Sequence, residues 1–237
     1  MASAIAWRLH QSRIRRIFMM EIAEPLAVRR KVSFCEAVYT RSHIIEGVSA
    51  VLVNEPARVF SAWENLSIAV AIDPQWHWIS AIKPHVVIDA TLAKINLGTT
   101  LEEAPLVVGL GPGFNAPEDV HLVVETNRGH DLGRIISSGM AQANTGIPGN
   151  IGGFTRERVF RAPAAGRFDT SRQIGENVRQ SEIIGSVNGH NVTASIDGVI
   201  RGLFRSGVHV DDGLKLGDID PRGKVEYCDT ISDKARA

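Results

Sequence analysis

Residues 162–187, APAAGRFDTSRQIGENVRQSEIIGSV, align without a gap on residues 194–219, ASIDGVIRGLFRSGVHVDDGLKLGDI, when the chain is shifted by 32 positions. Ala162, Gly166, Gly175, Val178 and Gly185 meet Ala194, Gly198, Gly207, Val210 and Gly217, and Val187 meets Ile219. Helical periodicity fades from Arg161 onward while glycine recurs at regular intervals, so this third of the chain reads as two short all-β copies related by pseudo-symmetry. Asn188-Gly189, between the copies, is a two-residue hairpin turn signal.

The paired copies resemble the biotinyl/lipoyl barrel-sandwich module. That module carries its cofactor on a lysine in the hairpin joining its halves, whereas NGHNVT (188–193) has no lysine, so a swinging-arm carrier is disfavoured. Lys215 falls inside the second copy, aligned with Ile183, and reads as a solvated strand residue. His190 stands where a ligand-bearing side chain would be; the plain alternative is an exposed turn histidine.

Ahead of the repeat the pattern alternates. ASAIAWRLHQSRIRR has apolar residues near helical spacing and feeds a strand over 17–22. Residues 34–39, a strand over 48–53, a helix over 56–65, a strand over 68–72, a short helix over 75–83 and a strand over 86–90 follow. Strands alternating with helices predict a mainly parallel, doubly wound α/β sheet of Rossmann-like type. No strand and no G-x-G-x-x-G loop precede the first helix, as if the first strand of such a sheet were missing. Ligands of these sheets sit outside the carboxyl ends of the strands, which makes Glu21, Asp73 and Asp89, with the following Lys94 and Asn96, candidate binding residues. The expected organisation is a Rossmann-like unit over 1–92, a Gly-rich middle over 93–158, the barrel-sandwich-like unit over 159–220 and a tail over 221–237.

The middle region carries GLGPGFNAPEDVHLVVETNRGHDLGRII (109–136). Gly109, Gly111 and Gly113 separate two apolar strand candidates and allow tight turns and close backbone approach, while the second strand delivers Glu125, Arg128, His130 and Asp131 into a short loop. In a site these would supply an anion contact (Arg128), a proton donor (His130) and its orienting partner (Asp131); the alternative is a Gly-rich connection with solvated charges. Asn144 to Gly153, NTGIPGNIGG, holds four glycines and a proline in ten residues and no acid. Exposed backbone amides of such a run, with the side chains of Asn144 and Thr145 and the turn at Gly146, can cradle an anion. Arg128, Arg156 and Arg158 lie nearby in sequence, so a phosphate, a pterin phosphate or an oxyanion is a reasonable guest.

The chain has 237 residues, 44 % apolar and 22 % charged, with 26 acidic and 26 basic side chains. That composition describes a globular protein, and zero net charge argues against nucleic acid or an anionic membrane surface as the main partner. No apolar run approaches the ~20 residues of a membrane span, so an intracellular protein is expected. The arginines Arg8, Arg13, Arg15 and Arg16, without an acid in the first twenty residues, leave a transit peptide as the alternative. Cys35 and Cys228 are too few for a disulfide framework, and no C-x-x-C, H-x-x-x-H or H-E-x-x-H spacing marks a metal site.

VVIDATLAKINLGTT, APLVVGLGPGF, DVHLVVETNRGHDLGRII, NTGIPGNIGGFTRERVFRAPAAG, GDIDPRG and CDTISDKARA together resemble the YqeB family, accessory proteins of selenium-dependent molybdenum hydroxylases. MEIAEPLAVRR and FCEAVY extend the resemblance toward the start. It implies a cytoplasmic bacterial maturation factor whose partners are a molybdenum hydroxylase of the xanthine dehydrogenase type and other maturation factors, and whose ligand is the molybdenum cofactor or a selenium species. Family members begin with a strand and a Gly-rich loop and continue past DKARA, so the resemblance also implies a chain cropped at both ends, with the Arg-rich start as an internal helix. Cys228 would be the thiol of a selenium carrier, its pKa raised by Glu226 and Asp229 unless Arg222 or Lys224 offsets them. The competing functions are an NAD(P)-dependent oxidoreductase, a scaffold without chemistry, and a lipoyl or biotin carrier.

Overall fold

The computed structural model describes residues 1–237 as a mixed α/β structure with several β-sheets, one of them partly curled into a half-barrel. The chain opens on α1 (Ala2–Gln11) and β1 (Phe18–Glu21), continues through α2 (Ala37–Thr40), β2 (Ser42–Ile45), β3 (Val48–Leu52), α3 (Pro56–Glu64) and β4 (Ile68–Ile72), and reaches the single turn α4 (Ile79–Ile82). These strands form one sheet in the order β1-β4-β3-β2, with β1, β4 and β3 parallel and β2 antiparallel at the edge. The sequence VSAVL for β3 and IAVAI for β4 supplies the apolar, β-rich runs that a sheet covered on both faces requires. Proline in the first turn starts α3, and Val59 and Ala62 bury its inner face against β4. Trp63 donates its Nε1 to the carbonyl of Ile17 at 2.9 Å, and Phe18 stacks on Trp78 at 5.6 Å, so the helical layer is fixed to the edge strand β1.

Sequence periodicity places these elements to within a few residues, but the expectation of one mainly parallel sheet does not hold. The strand β5 (Val86–Asp89) leaves the first sheet and pairs in parallel with β6 (Leu106–Leu110). A second sheet, β5-β6-β8-β9, is completed by β8 (Leu122–Val124) and the antiparallel β9 (Ile135–Ile136). A small ribbon joins β7 (Asn115–Ala116) to β10 (Gly139–Met140). The hydrophobic pattern identifies a strand but says nothing about its neighbour, which is where the one-sheet reading failed. The helix expected over 75–83 is also shorter than its pattern, because Asp73 accepts hydrogen bonds from the amides of His77 and Trp78 and shapes that stretch as a turn.

The last third follows the repeat. The first copy contributes β11 (Val159–Arg161), β12 (Gly166–Asp169), β13 (Asn177–Val178) and β14 (Ile183–Val187); the second contributes β15 (His190–Thr193), β16 (Gly198–Leu203), β17 (His209–Val210) and β18 (Lys215–Asp220). The starts of β12, β13 and β14 are each 32 residues before those of β16, β17 and β18. Two four-stranded sheets result, β15-β14-β12-β17 and β11-β18-β16-β13, each built from both copies. They enclose a cluster of 18 buried residues that includes Phe168, Ile184, Leu203 and Leu216. The matched glycines mark the tightest contacts: a Cβ on Gly185 would lie 2.6 Å from the carbonyl oxygen of Asp169, and one on Gly217 would lie 2.3 Å from that of Gly202. Asn188 and Gly189 both have positive φ in the hairpin between the copies, as the turn signal predicts.

Two crossings tie the parts together. Residues 28–30 lie over β16, where Leu203 donates its amide to Val28 and Arg30 donates its Nε to Leu203. The tail ends in α5 (Asp233–Arg236), whose Arg236 pairs with Glu46 at 2.6 Å and lies over the ring of Trp7. Replacing Gly217 by alanine drives its methyl into Phe160 and the Gly202 carbonyl at once, and neither can step aside cheaply. Urea unfolding of Gly217→Ala is expected to show a loss of about 2–3 kcal/mol, the cost of overpacking a closed core.

Candidate functional site

The second sheet brings together most of the residues singled out in the middle of the sequence. Since β5, β6 and β8 are parallel, Asp89, Gly111 and Glu125 emerge at one edge. Asp89 is buried and accepts from the amide and hydroxyl of Thr91 through Oδ1 and from the hydroxyl of Thr99 through Oδ2. Glu125, also buried, accepts from the amide of Asn127 at 2.6 Å and that of Gln142 at 2.7 Å. Asn96 accepts from the amides of Gly98 and Thr99. A Cβ on Gly113 would sit 2.8 Å from the backbone nitrogen of Ile95, and one on Gly109 would sit 2.5 Å from the ring of Phe114. Glycine at these positions lets the 92–98 loop lie on the 111–113 turn, and the polar groups of this edge are spent on one another and on backbone amides. Lys94 remains exposed beside them.

Glu21 ends β1 in the other sheet, where its carbonyl accepts from the amide of Asp73 and burial pushes its carboxyl above the usual carboxylate range. Arg128, His130 and Asp131 are not united. Arg128 forms a bidentate pair with Asp233 at 2.5 and 2.9 Å, Asp131 pairs with Arg134 at 3.1 Å, and His130 is exposed. The tail therefore meets the middle region through a contact between residues 105 positions apart, which no local pattern announces.

The loop 144–153 is fastened from two directions. Arg158, buried at 6 % exposure, donates its Nε to the carbonyl of Gly149 at 3.1 Å, and a Cβ on Gly149 would lie 3.0 Å from the Nε of Arg128. Asn144 accepts from the amide of Gly146 and Thr145 from that of Ile147, so these side chains brace the turn. Next to it opens a cavity of about 410 Å³ lined by Gly146, Pro148, Arg156, Val159 and Arg161. Arg161 spends one nitrogen on the carbonyl of Gly213, and Arg156 is exposed at the mouth. Arg156 was legible in the sequence; Arg161 was not, because it is one position out in a strand whose pairing decides which way it points.

On β18, the strand paired with β11, lies a buried ionic network. Asp218 takes Arg201 at 2.9 Å and Lys215 at 2.8 Å, with Arg158 at 3.8 Å, and Asp220 is paired bidentately with Arg222. Burial opposes ionisation of Asp218, but Lys215 and Arg201 outweigh it and hold the carboxyl well below the usual range. Four cations around two carboxylates leave the region positive. An anion beside Arg156 and Arg161 would feel that field at short range.

Both thiols are interior. Cys228 is 1 % exposed with its Sγ directed at the carbonyl of Ile200. Burial pushes its pKa up against the opposing pull of Lys31 and Arg29, while Arg222 and Lys224, the expected offsetting pair, lie over Tyr227 instead. Burial, with Glu21 and Glu36, pushes Cys35 up to about 12. His190 is exposed beside the hairpin turn. No helix is long and apolar enough to cross a membrane.

No family model matches this chain. Over 236 residues it is 44 % identical to the uncharacterized protein YqeB of Escherichia coli strain K12, an alignment that takes in 100 % of this chain and 43 % of that protein. The chain is homologous to YqeB. It spans less than half of YqeB's length. Among solved structures, a succinylglutamate desuccinylase/aspartoacylase from Rhodobacter sphaeroides aligns over 27 % of this chain and 22 % of its own at 22 % identity and a TM-score of 0.24. An aspartoacylase family protein from Mesorhizobium loti covers 36 % and 27 % at 13 % identity with a TM-score of 0.26, and the ectoine utilization protein EutE (DoeB) from Ruegeria pomeroyi covers 37 % and 28 % at 13 % with 0.25. Likeness at that level carries no argument, and YqeB is the relative on which homology rests.

The interior thiols generate a chemical expectation. In the native protein at pH 8, neither Cys35 nor Cys228 should react with an aromatic disulfide reagent within minutes, and both should react once urea unfolds the chain; rapid native labelling of Cys228 would show a thiolate open to solvent.

Proposed function

We propose that this chain is the anion-holding part of a maturation factor for selenium-dependent molybdenum hydroxylases, and that the cavity between the 144–153 loop and β11 receives the phosphate or oxyanion group of its ligand. The observation that carries the reading is the pair Arg156 and Arg161 around that cavity of about 410 Å³, set beside a glycine-rich turn and a positive ionic network. Backbone amides and guanidinium groups are the donors that recognise phosphate and oxyanions, and planar guanidinium can bind them bidentately. The biological setting is what the resemblance of the motifs to the YqeB family implies, and homology to YqeB supports that resemblance.

In this reading the first sheet is a Rossmann-like support, the repeat is a barrel-sandwich module without a swinging arm, and the protein works in the cytoplasm with a hydroxylase of the xanthine dehydrogenase type. The donor set fits the phosphate of the molybdenum cofactor or an inorganic selenium oxyanion. It does not fit covalent selenium carriage, because both thiols are buried and held protonated. The bound group would bring its own metal or selenium chemistry, while Arg156 and Arg161 would neutralise its charge and the Gly146 turn would set its approach. Oxidoreductase chemistry with NAD(P) is less well supported, since the carboxylates at the edge of the second sheet are committed to their own loops.

Titration calorimetry with molybdate and inorganic phosphate is expected to show binding that weakens about tenfold or more in Arg156→Ala together with Arg161→Ala, as loss of charge-assisted hydrogen bonds predicts. Hydroxylase purified from cells carrying the same double variant in the full-length gene should contain less molybdenum or selenium by elemental mass spectrometry. Unchanged content of both elements would remove the maturation reading, and unchanged anion affinity would remove the site.

A further inference from the structure

A second, wider cleft of about 1240 Å³ lies where the chain leaves the first sheet, lined by the stretch 75–85 between β4 and β5 and by residues 101–105 ahead of β6. Its lining includes Trp76, His77, Lys83 and His85 from one segment and Glu102 and Glu103 from another. The cleft shares no lining residue with the cavity at the 144–153 loop.

Two features separate it from an ordinary surface groove. First, four of its polar side chains are uncommitted: His77, Lys83, His85 and Glu102 make no hydrogen bond or ion pair through their side chains, in contrast to Asp73, Asp89 and Glu125, which are each tied to the backbone or to a neighbouring hydroxyl. Second, the backbone is held in the left-handed region at Trp76, with φ of 56°, and again at Lys83, with φ of 50°. A bulky aromatic residue rarely adopts that conformation, and where it does, the surroundings fix the ring; here Trp76 packs near Gly98. The result is a half-buried indole in a cleft whose lining also holds two carboxylates.

The charge limits the guest. Two carboxylates against one lysine make the cleft unfavourable for a phosphate group, so a neutral ligand rich in N–H donors suits it better. A carboxylate accepts two parallel N–H bonds from an amidine-like edge, and an indole stacks on a flat ring.

We propose that this cleft binds a flat heterocycle through the 2-aminopyrimidinone edge (amino, ring N–H and oxo groups) shared by guanine and pterin, with Trp76 against the ring and the Glu102–Glu103 pair accepting its N–H groups. Lys83 lies within the same cleft as a donor for the ring oxygen. The inference goes beyond the anion site and does not rest on it.

Equilibrium dialysis of the full chain against guanosine, unsubstituted pterin and adenosine tests it. Guanosine, pterin or both should be retained at concentrations below about 1 mM. Adenosine, which lacks the donor edge, should bind at least tenfold more weakly. Retention of pterin alone assigns the cleft to pterins, and retention of guanosine alone assigns it to guanine compounds. Glu102→Gln with Glu103→Gln should weaken retention tenfold or more at an unchanged melting temperature, and Trp76→Ala should weaken it further. Excess inorganic phosphate should leave the heterocycle in place, so that failure of the anion reading and failure of this one are seen separately. Equal retention of adenosine and guanosine, no retention of either heterocycle at millimolar concentration, or full affinity in the double glutamine variant would overturn the proposal.

Discussion

Asp218 and Asp220 are carried into the interior on the last strand of the repeat, and the arrangement around them depends on keeping both charged. A buried carboxylate without partners would cost several kcal/mol, and removing one partner of such a pair is more damaging than never having built it. Arg201, Lys215, Arg158 and Arg222 therefore have fixed places. Arg158 does more than neutralise: the same side chain reaches the carbonyl of Gly149 and so hands the position of the ionic network on to the glycine-rich loop. Any ligand held by that loop is positioned, at one remove, by carboxylates that never touch it.

The same logic explains why polar residues at the edge of the second sheet are poor evidence for catalysis. Asp89 and Glu125 have the burial and the strand-end location of catalytic carboxylates, yet each satisfies loop amides or hydroxyls that would otherwise be buried without a partner. They set the loops that frame the sites. Glycine at 113 acts in the same structural role by letting one backbone rest on another, and glycine at 109 makes room for the ring of Phe114.

Much of the fold was legible in the sequence, and the reason differs from region to region. The repeat could be read because close backbone approach at Gly185 and Gly217 tolerates no side chain, which stamps the same residue on both copies. The strands ahead of it could be read from their apolar runs. What could not be read was partnership. Nothing in VVID declares whether it lies beside β4 or beside β6, and nothing near Arg128 announces Asp233. The cavity at the 144–153 loop was half visible: glycine composition and Arg156 pointed to it, whereas Arg161 depended on the register of β11 against β18, including its irregularity after Phe160. The Trp76 cleft left no signature, since its lining comes from two segments separated in sequence.

The pairing within the repeat has one more implication. β11 pairs with β18 and β15 with β14, while β12 pairs with β17 and β16 with β13, so four of the six strand contacts run between the copies and only β12 with β14 and β16 with β18 stay inside one. Neither copy owns a complete sheet. The unit is in effect a homodimer written as one chain, its halves clasped like interlocked hands, and it must assemble from contacts distant in sequence before either half has an interior. Non-local pairing of this kind slows folding, because the chain must close its long loops before the contacts reward it.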